Sequence, residues 1–144
     1  MKSFEQRRPE VKDYGPDFYR ECGEPMALEY LRRNVPSVAR VVWSEGDLGD
    51  RGKELDQKRG IDGFLELHSP SGDKLFLGIQ ISCANLQNPE VRERLHTEFR
   101  NWAMRPIYEV DGEAESLGAK RGEQIPTVFF HMNAADVNDA WENT

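Results

Sequence analysis

Two short apolar runs joined by a turn constrain the fold of this chain more than any other stretch. Residues 60–67 read GIDGFLEL, residues 74–82 read KLFLGIQIS, and the segment between them reads HSPSGD. Apolar runs of this length, bounded by Gly, Pro, Ser and Asp, are typical of β-strands that meet at a turn. The sequence therefore predicts a β-hairpin in the middle of the chain.

Polar side chains interrupt this hairpin at a few positions only. In the second strand, the two-residue period places Gln80 and Ser82 on one face and Ile79 and Ile81 on the other. A buried amide such as that of Gln80 must be hydrogen-bonded to avoid a cost of about 1–3 kcal/mol. Asp62 lies at the mouth of the first strand, between two glycines. The hairpin thus offers a carboxylate on one strand and a polar pair near the end of its partner.

The composition indicates a globular protein rather than a fibrous, membrane or nucleic-acid-coating one. The 144 residues are 38% apolar and 31% charged, with a net charge of −7. An acidic balance counts against binding nucleic acid through bulk charge, although a local basic patch can still contact phosphates. No apolar run approaches the length of about 20 residues that spans a bilayer, and the first residues lack the apolar stretch of a signal peptide. Two cysteines are too few for a disulfide framework, so we expect a cytoplasmic protein without a membrane partner.

The rest of the chain predicts helices and strands in a recognisable order. We expect a flexible lead-in over residues 1–15 and a single domain over residues 16–144. Within it we expect a helix from about Pro25 to Arg33, a strand over residues 38–43, the hairpin, a helix, a strand over residues 125–132 and a short final helix capped by Asn133. Residues 44–60 and 105–125 are rich in charge and glycine, and we expect long loops there. The order predicts an α/β domain with one mixed sheet flanked by helices.

The helix after the hairpin has a clear start and an apolar stripe. Its start combines a capping Asn88, Pro89 at the first helical position and an acid, Glu90, in the first turn. Apolar residues follow at helical spacing and predict a buried stripe: Val91, Leu95, Phe99 and Trp102.

The element order and four short segments resemble the PD-(D/E)XK superfamily of restriction-endonuclease-like nucleases, whose core runs α-β-β-β-α-β. The segments are residues 23–31 (GEPMALEYL), 60–63 (GIDG), 78–82 (GIQIS) and 125–130 (IPTVFF), the last followed by Trp141. The resemblance covers roughly residues 20–142. It implies a restriction-endonuclease-like fold and the cleavage of DNA or RNA with Mg²⁺ or Mn²⁺, in a prokaryotic or phage defence setting.

The resemblance also implies a site. Asp62 and Gln80 would be metal ligands, with Glu24 close by, since Mg²⁺ prefers oxygen donors and lowers the pKa of a bound water. In the family, a lysine two residues after the second ligand stabilises the charge that develops on the phosphate, and here that position is Ser82. A hydroxyl has no positive charge, and losing one such stabiliser typically costs about 100- to 1,000-fold in rate.

Two explanations of Ser82 follow from this departure. Another cation could take the place of the lysine, and Lys58, four residues before Asp62, is the preferred candidate over Arg59, Lys74, Arg92 and Arg94. Lys74 is about 26 Å from Ser82 along an extended strand. Alternatively, the domain is catalytically inactive and serves as a binding or regulatory module, with a nucleic acid, a protein partner or a second copy of itself bound to it.

The densest basic segment precedes the hairpin and contains Arg51, Lys53, Lys58 and Arg59. It could contact phosphates, or it could be a solvated loop balanced by neighbouring acids. The remaining titratable residues have simpler expectations: Glu66 as a solvated strand carboxylate, and His68, His96 and His131 as structural or exposed residues, because no pair has the spacing of metal ligands.

Overall fold

The structure, a computed structural model, describes residues 23–55, 59–83, 87–110, 118–133, 136–137 and 139. The expected lead-in, Lys58, Trp141 and the side chain of Arg51 lie outside this description. The helices are α1 (Glu24–Asn34), α2 (Ser44–Asp47), α3 (Gly49–Glu54) and α4 (Pro89–Ala103). The strands are β1 (Val38–Trp43), β2 (Gly63–His68), β3 (Lys74–Ser82), β4 (Ile107–Glu109) and β5 (Gln124–His131).

The strands form one mixed sheet in the order β1-β2-β3-β5-β4. The first three run antiparallel as a meander, β5 pairs parallel to β3, and β4 pairs antiparallel to β5. The α/β class and the mixed sheet flanked by helices are therefore confirmed. Between β3 and β5 the chain crosses over through α4, as a parallel pair requires.

The predicted hairpin is confirmed as β2 and β3, with Gly63 opposite Ile79 and His68 opposite Lys74. Its two faces serve different layers. On one face, Ile79 packs with Leu28 of α1 and with Leu65 in one core cluster. On the other face, Phe64 belongs to a second core cluster. Its other buried members are Val42, Leu55, Ile61, Tyr108, Val110, Ala119 and Ile125. The alternation read from the sequence thus sets the two sides of the sheet.

Helix α4 begins as predicted but does not bury its apolar stripe. The side-chain oxygen of Asn88 accepts a hydrogen bond from the Glu90 backbone N–H at 3.0 Å. No residue of α4 is buried, and Phe99 is 47% exposed. The helix contacts the sheet through an aromatic cluster in which Phe99 and Trp102 pack on Phe129 of β5. The apolar stripe of α4 is therefore covered only in part.

The predicted loop over residues 44–60 is wrong for most of its length, and the predicted loop over residues 105–125 is interrupted by the short strand β4 and ends in β5. Helices α2 and α3 occupy most of residues 44–54, and they pack so closely that a Cβ on Gly52 would lie 1.6 Å from the Ser44 carbonyl oxygen. Glycine lowers the intrinsic helix propensity, but here its missing side chain permits the contact. In residues 105–125, β4 is fixed by Tyr108, whose ring is fully buried. For the final helix, the Val137 N–H donates to the Asn133 carbonyl at 3.0 Å, and most of its residues lie outside the description.

Glu66 is not the solvated carboxylate that the sequence predicted. Its side chain is 9% exposed and bonds to Arg40 at 3.1 Å and to His68 at 2.9 Å. The cross-strand pairing of Arg40 with Glu66 explains this arrangement, because residues opposite each other on neighbouring strands have adjacent side chains.

Candidate active site

Asp62 is held in place by three backbone contacts at the edge of the hairpin. Its N–H donates to the Ile79 carbonyl at 2.8 Å, and its carbonyl accepts from the Ser44 N–H at 3.0 Å. Its side-chain Oδ2 accepts from the Ile81 N–H at 2.6 Å. The residue is 7% exposed. A simple turn aspartate would be solvated, so these contacts favour a role for a fixed carboxylate.

Glu24 reaches the same end of the sheet from the first residue of α1. Its Oε1 accepts a hydrogen bond from the indole Nε1 of Trp43 at 3.2 Å. Trp43 is the last residue of β1 and pairs with Gly63, the neighbour of Asp62. The start of a helix also favours a carboxylate because of its partial positive charge. Two elements therefore bring two carboxylates to the strand ends.

The thiol of Cys83, directly after β3, lies within electrostatic range of both carboxylates. Burial first, then the charge of Glu24 and then that of Asp62 together raise the pKa of this thiol to about 12. Both carboxylates thus act on one partly buried thiol, which stays protonated at neutral pH. No sequence pattern selects Cys83, because a single cysteine after a strand has no spacing that marks a site.

Gln80 lies in the wall of a cavity. Its side chain lies on the other face of β3 from Ile79, as predicted. Its oxygen is close to Gly60, since a Cβ added to that glycine would lie 3.4 Å from it. The cavity has a volume of about 410 Å³. Its described lining includes neither Asp62 nor Glu24. Gln80 thus lines this cavity and directly precedes Ile81, whose N–H binds the Asp62 carboxylate.

Ser82 occupies a protected position where the resemblance expects a lysine. It is 7% exposed, it pairs in register with His131 of β5, and its carbonyl accepts from the Met132 N–H at 2.9 Å. Burial lowers the pKa of His131, opposed by the Asp136 carboxylate and the Ser82 carbonyl. The neighbourhood of Ser82 therefore holds a largely neutral imidazole.

The structure discriminates among the cations considered as replacements for that lysine. Lys74 lies at the opposite end of β3, next to His68, and Arg92 and Arg94 are exposed in the first half of α4. Arg59 lines the cavity together with Gln80. Its guanidinium carbon is 5.2 Å from the centre of the Tyr108 ring, a cation–π distance.

The predicted nucleic-acid-binding set is only partly placed. Lys53 is exposed on α3 and Arg59 lines the cavity. Lys58 and the side chain of Arg51 lie outside the described residues.

The wall of the cavity opposite Arg59 comes from the end of α4 and from β5. The indole Nε1 of Trp102 donates to the Thr127 hydroxyl at 3.0 Å, and that hydroxyl donates to the Pro106 carbonyl at 2.7 Å. Asn101 and Arg105 complete the polar lining. These residues were not selected from the sequence, because the cavity is built from segments far apart in the chain and no local pattern marks them.

The carboxylate pair has the donor chemistry of a magnesium site. Over the part of the chain that the structure describes, no group of three or more His, Cys, Asp or Glu side chains is placed to hold a metal ion. Mg²⁺ usually keeps several waters and is bound through one or two carboxylates together with substrate phosphates. Asp62 and Glu24 therefore fit Mg²⁺ or Mn²⁺, and they do not form a closed structural metal cage.

Comparisons with protein-family models, with curated proteins and with solved structures returned no match. Within the described ranges, no helix is both long enough and apolar enough to cross a bilayer.

Proposed function

We propose that the protein is a divalent-metal-dependent nuclease with a restriction-endonuclease-like fold. The observation that carries the proposal is the position of two fixed carboxylates at one end of the sheet, Asp62 bound by the Ile81 N–H and Glu24 by the indole of Trp43, which pairs with Gly63. The order of helices and strands supports it, because α1, β1, β2, β3, α4 and β5 follow the α-β-β-β-α-β order of that fold, with α2, α3 and β4 added. We further propose a cytoplasmic setting, in which a free thiol such as Cys83 stays reduced.

The chain's own groups have defined roles in this proposal. A bound Mg²⁺ or Mn²⁺ would act as a Lewis acid toward the phosphate and would lower the pKa of a bound water. Asp62 and Glu24 are its protein ligands. The Ile81 N–H and the Trp43 indole N–H each hold one carboxylate oxygen, so the orientation of both ligands is set before the substrate arrives. Such preorganisation avoids reorganisation during the reaction.

One observation favours a second candidate, a catalytically inactive module on the same scaffold. Ser82 is buried at the position that the resemblance assigns to a lysine. Such a module would bind nucleic acid or a protein partner without cleaving a phosphodiester.

The decisive experiment is a cleavage assay on labelled double-stranded DNA, single-stranded DNA and RNA with Mg²⁺ or Mn²⁺. We expect cleavage that chelation abolishes and that Asp62→Asn and Glu24→Gln each reduce by about 100-fold or more. Asp73→Asn, in the hairpin turn, is the matched control because it removes an exposed carboxylate distant from Glu24. Binding of Mn²⁺, measured by titration calorimetry, should weaken in the same two variants. If the wild-type protein neither cleaves nor binds Mn²⁺, the nuclease proposal is wrong and the inactive module is favoured.

A further inference from the structure

The cavity beside Gln80 has a size and a lining that suit a small organic ligand. Its volume of about 410 Å³ lies within the range of roughly 300–1,000 Å³ that is typical of ligand sites. Its walls combine two aromatic rings, two guanidinium groups and two side-chain amides. We infer that this cavity binds an adenine nucleotide unit, with its base against Trp102 and its phosphate between Arg59 and Arg105.

Trp102 provides a rigid surface for a flat ring. Its indole N–H is bound by the Thr127 hydroxyl, and its ring packs on Phe99 at 5.4 Å and on Phe129 at 6.1 Å between ring centres. A ring held on one side by other aromatic rings loses little freedom when a base stacks on it. Stacking of a base on an aromatic side chain is worth about 1–3 kcal/mol.

The opposite wall places a cation over an aromatic ring. Tyr108 is buried, and the guanidinium carbon of the exposed Arg59 lies 5.2 Å from the centre of its ring. Arg105 adds a second exposed guanidinium to the lining. In a chain with a net charge of −7, two arginines at one cavity form a local positive site. Guanidinium groups bind phosphate oxygens with two parallel hydrogen bonds.

The amides of Gln80 and Asn101 indicate which base fits. An amide side chain presents one donor and one acceptor, and this pair matches the N6 donor and N7 acceptor of adenine. Both residues line the cavity. The ligand is therefore an adenine nucleotide, either free or as one residue of a strand; only the second source rests on the proposed function.

The experiment is titration calorimetry with adenosine 5′-monophosphate, adenosine and inorganic phosphate on the full chain. We expect the monophosphate to bind, and each of the other two to bind at least about tenfold more weakly, because each makes half of the contacts. Arg59→Ala and Arg105→Ala should each weaken binding of the monophosphate by about tenfold or more. Arg94→Ala is the control, because Arg94 is an exposed arginine in the first half of α4, and it should bind as the wild type does.

A second arm distinguishes the source of the nucleotide and separates this inference from the nuclease proposal. A hexamer of deoxyadenylate that binds at least tenfold more tightly than the monophosphate identifies a strand, and equal or weaker binding identifies the free nucleotide. Asp62→Asn should retain binding of the monophosphate even where it abolishes cleavage. The inference is overturned if the monophosphate does not bind at millimolar concentration, or if it binds equally well to both arginine variants and the wild type.

Discussion

The reactivity of Cys83 provides a direct test of the geometry around Glu24 and Asp62. Burial is the largest cause of its raised pKa of about 12, Glu24 the second and Asp62 the third, against an ordinary value of 9.0. The three causes together raise the pKa by about three, from 9.0 to about 12. The smallest cause therefore accounts for at most about one of these three, and the second for at most about one and a half. Asp62→Asn and Glu24→Gln should therefore lower the pKa of Cys83 by up to those amounts and leave it above its ordinary value.

Thiol alkylation converts this change into a measurable rate. Lowering the pKa by one increases the thiolate fraction about tenfold. The less basic thiolate is a weaker nucleophile and reacts about threefold more slowly, so the net rate rises about threefold. We expect iodoacetamide to react with Cys83 up to about threefold faster in Asp62→Asn and up to about sixfold faster in Glu24→Gln. The reaction is followed by mass spectrometry between pH 8 and 10, in a Cys22→Ser background so that one cysteine remains.

The control and the refuting result follow from the same arrangement. Asp73→Asn removes a carboxylate in the hairpin turn and should leave the alkylation rate unchanged. An equal acceleration in that variant would indicate general loosening of the fold. Unchanged rates in both Glu24→Gln and Asp62→Asn would refute the convergence of the two carboxylates on Cys83, and the proposed site would lose its main support.

Three further predictions concern stability and are measured by urea denaturation. Glu66→Gln removes the charge from a partly buried ion pair with Arg40 and should lower the free energy of unfolding by about 1 kcal/mol; a change below about 0.3 kcal/mol would contradict the pairing. Thr127→Val removes the acceptor of the Trp102 indole and should cost about 1 kcal/mol, whereas Thr127→Ser should retain most of the stability. The pKa of His131 is lowered in the folded state. Its neutral imidazole therefore contributes fully to the free energy of unfolding above the unfolded pKa of about 6.5, and this contribution is lost as the pH falls through the folded pKa. His131→Gln should therefore lose less stability than the wild type between pH 7 and 5, and an identical pH profile would refute this.

Features that depend on neighbours in the sequence were predictable. The two-residue alternation and the turn residues determined the hairpin, and Pro25 and Asn88 marked the starts of two helices within a residue or two. Alternation also predicted that the side chains of Gln80 and Ile79 lie on opposite faces of β3. These signals are local, because they follow from the geometry of a strand or of a helix end.

Features that depend on contacts between distant segments were not predictable. The fit of Gly52 against Ser44 makes a helical turn possible where glycine and charge indicated a loop. The cavity lined by Gln80 takes its walls from segments far apart in the chain, and the bond from the Ile81 N–H to Asp62 joins residues 19 positions apart. A motif read as a single site gives no information on which layer of the sheet each residue meets.

The parallel pairing of β3 with β5 also orders the folding of the chain. The meander of β1, β2 and β3 joins neighbouring segments, whereas Gly78 meets Thr127 only after the long crossover has closed. Closing a longer loop costs more entropy, and such contacts form slowly. We expect the meander to protect its amides first, so that pulse-labelled hydrogen exchange detects protection at Leu65 before Phe129; simultaneous protection would contradict this order. The Asp62 carboxylate, bound within the meander, would then be in place before the cavity wall at Thr127 exists.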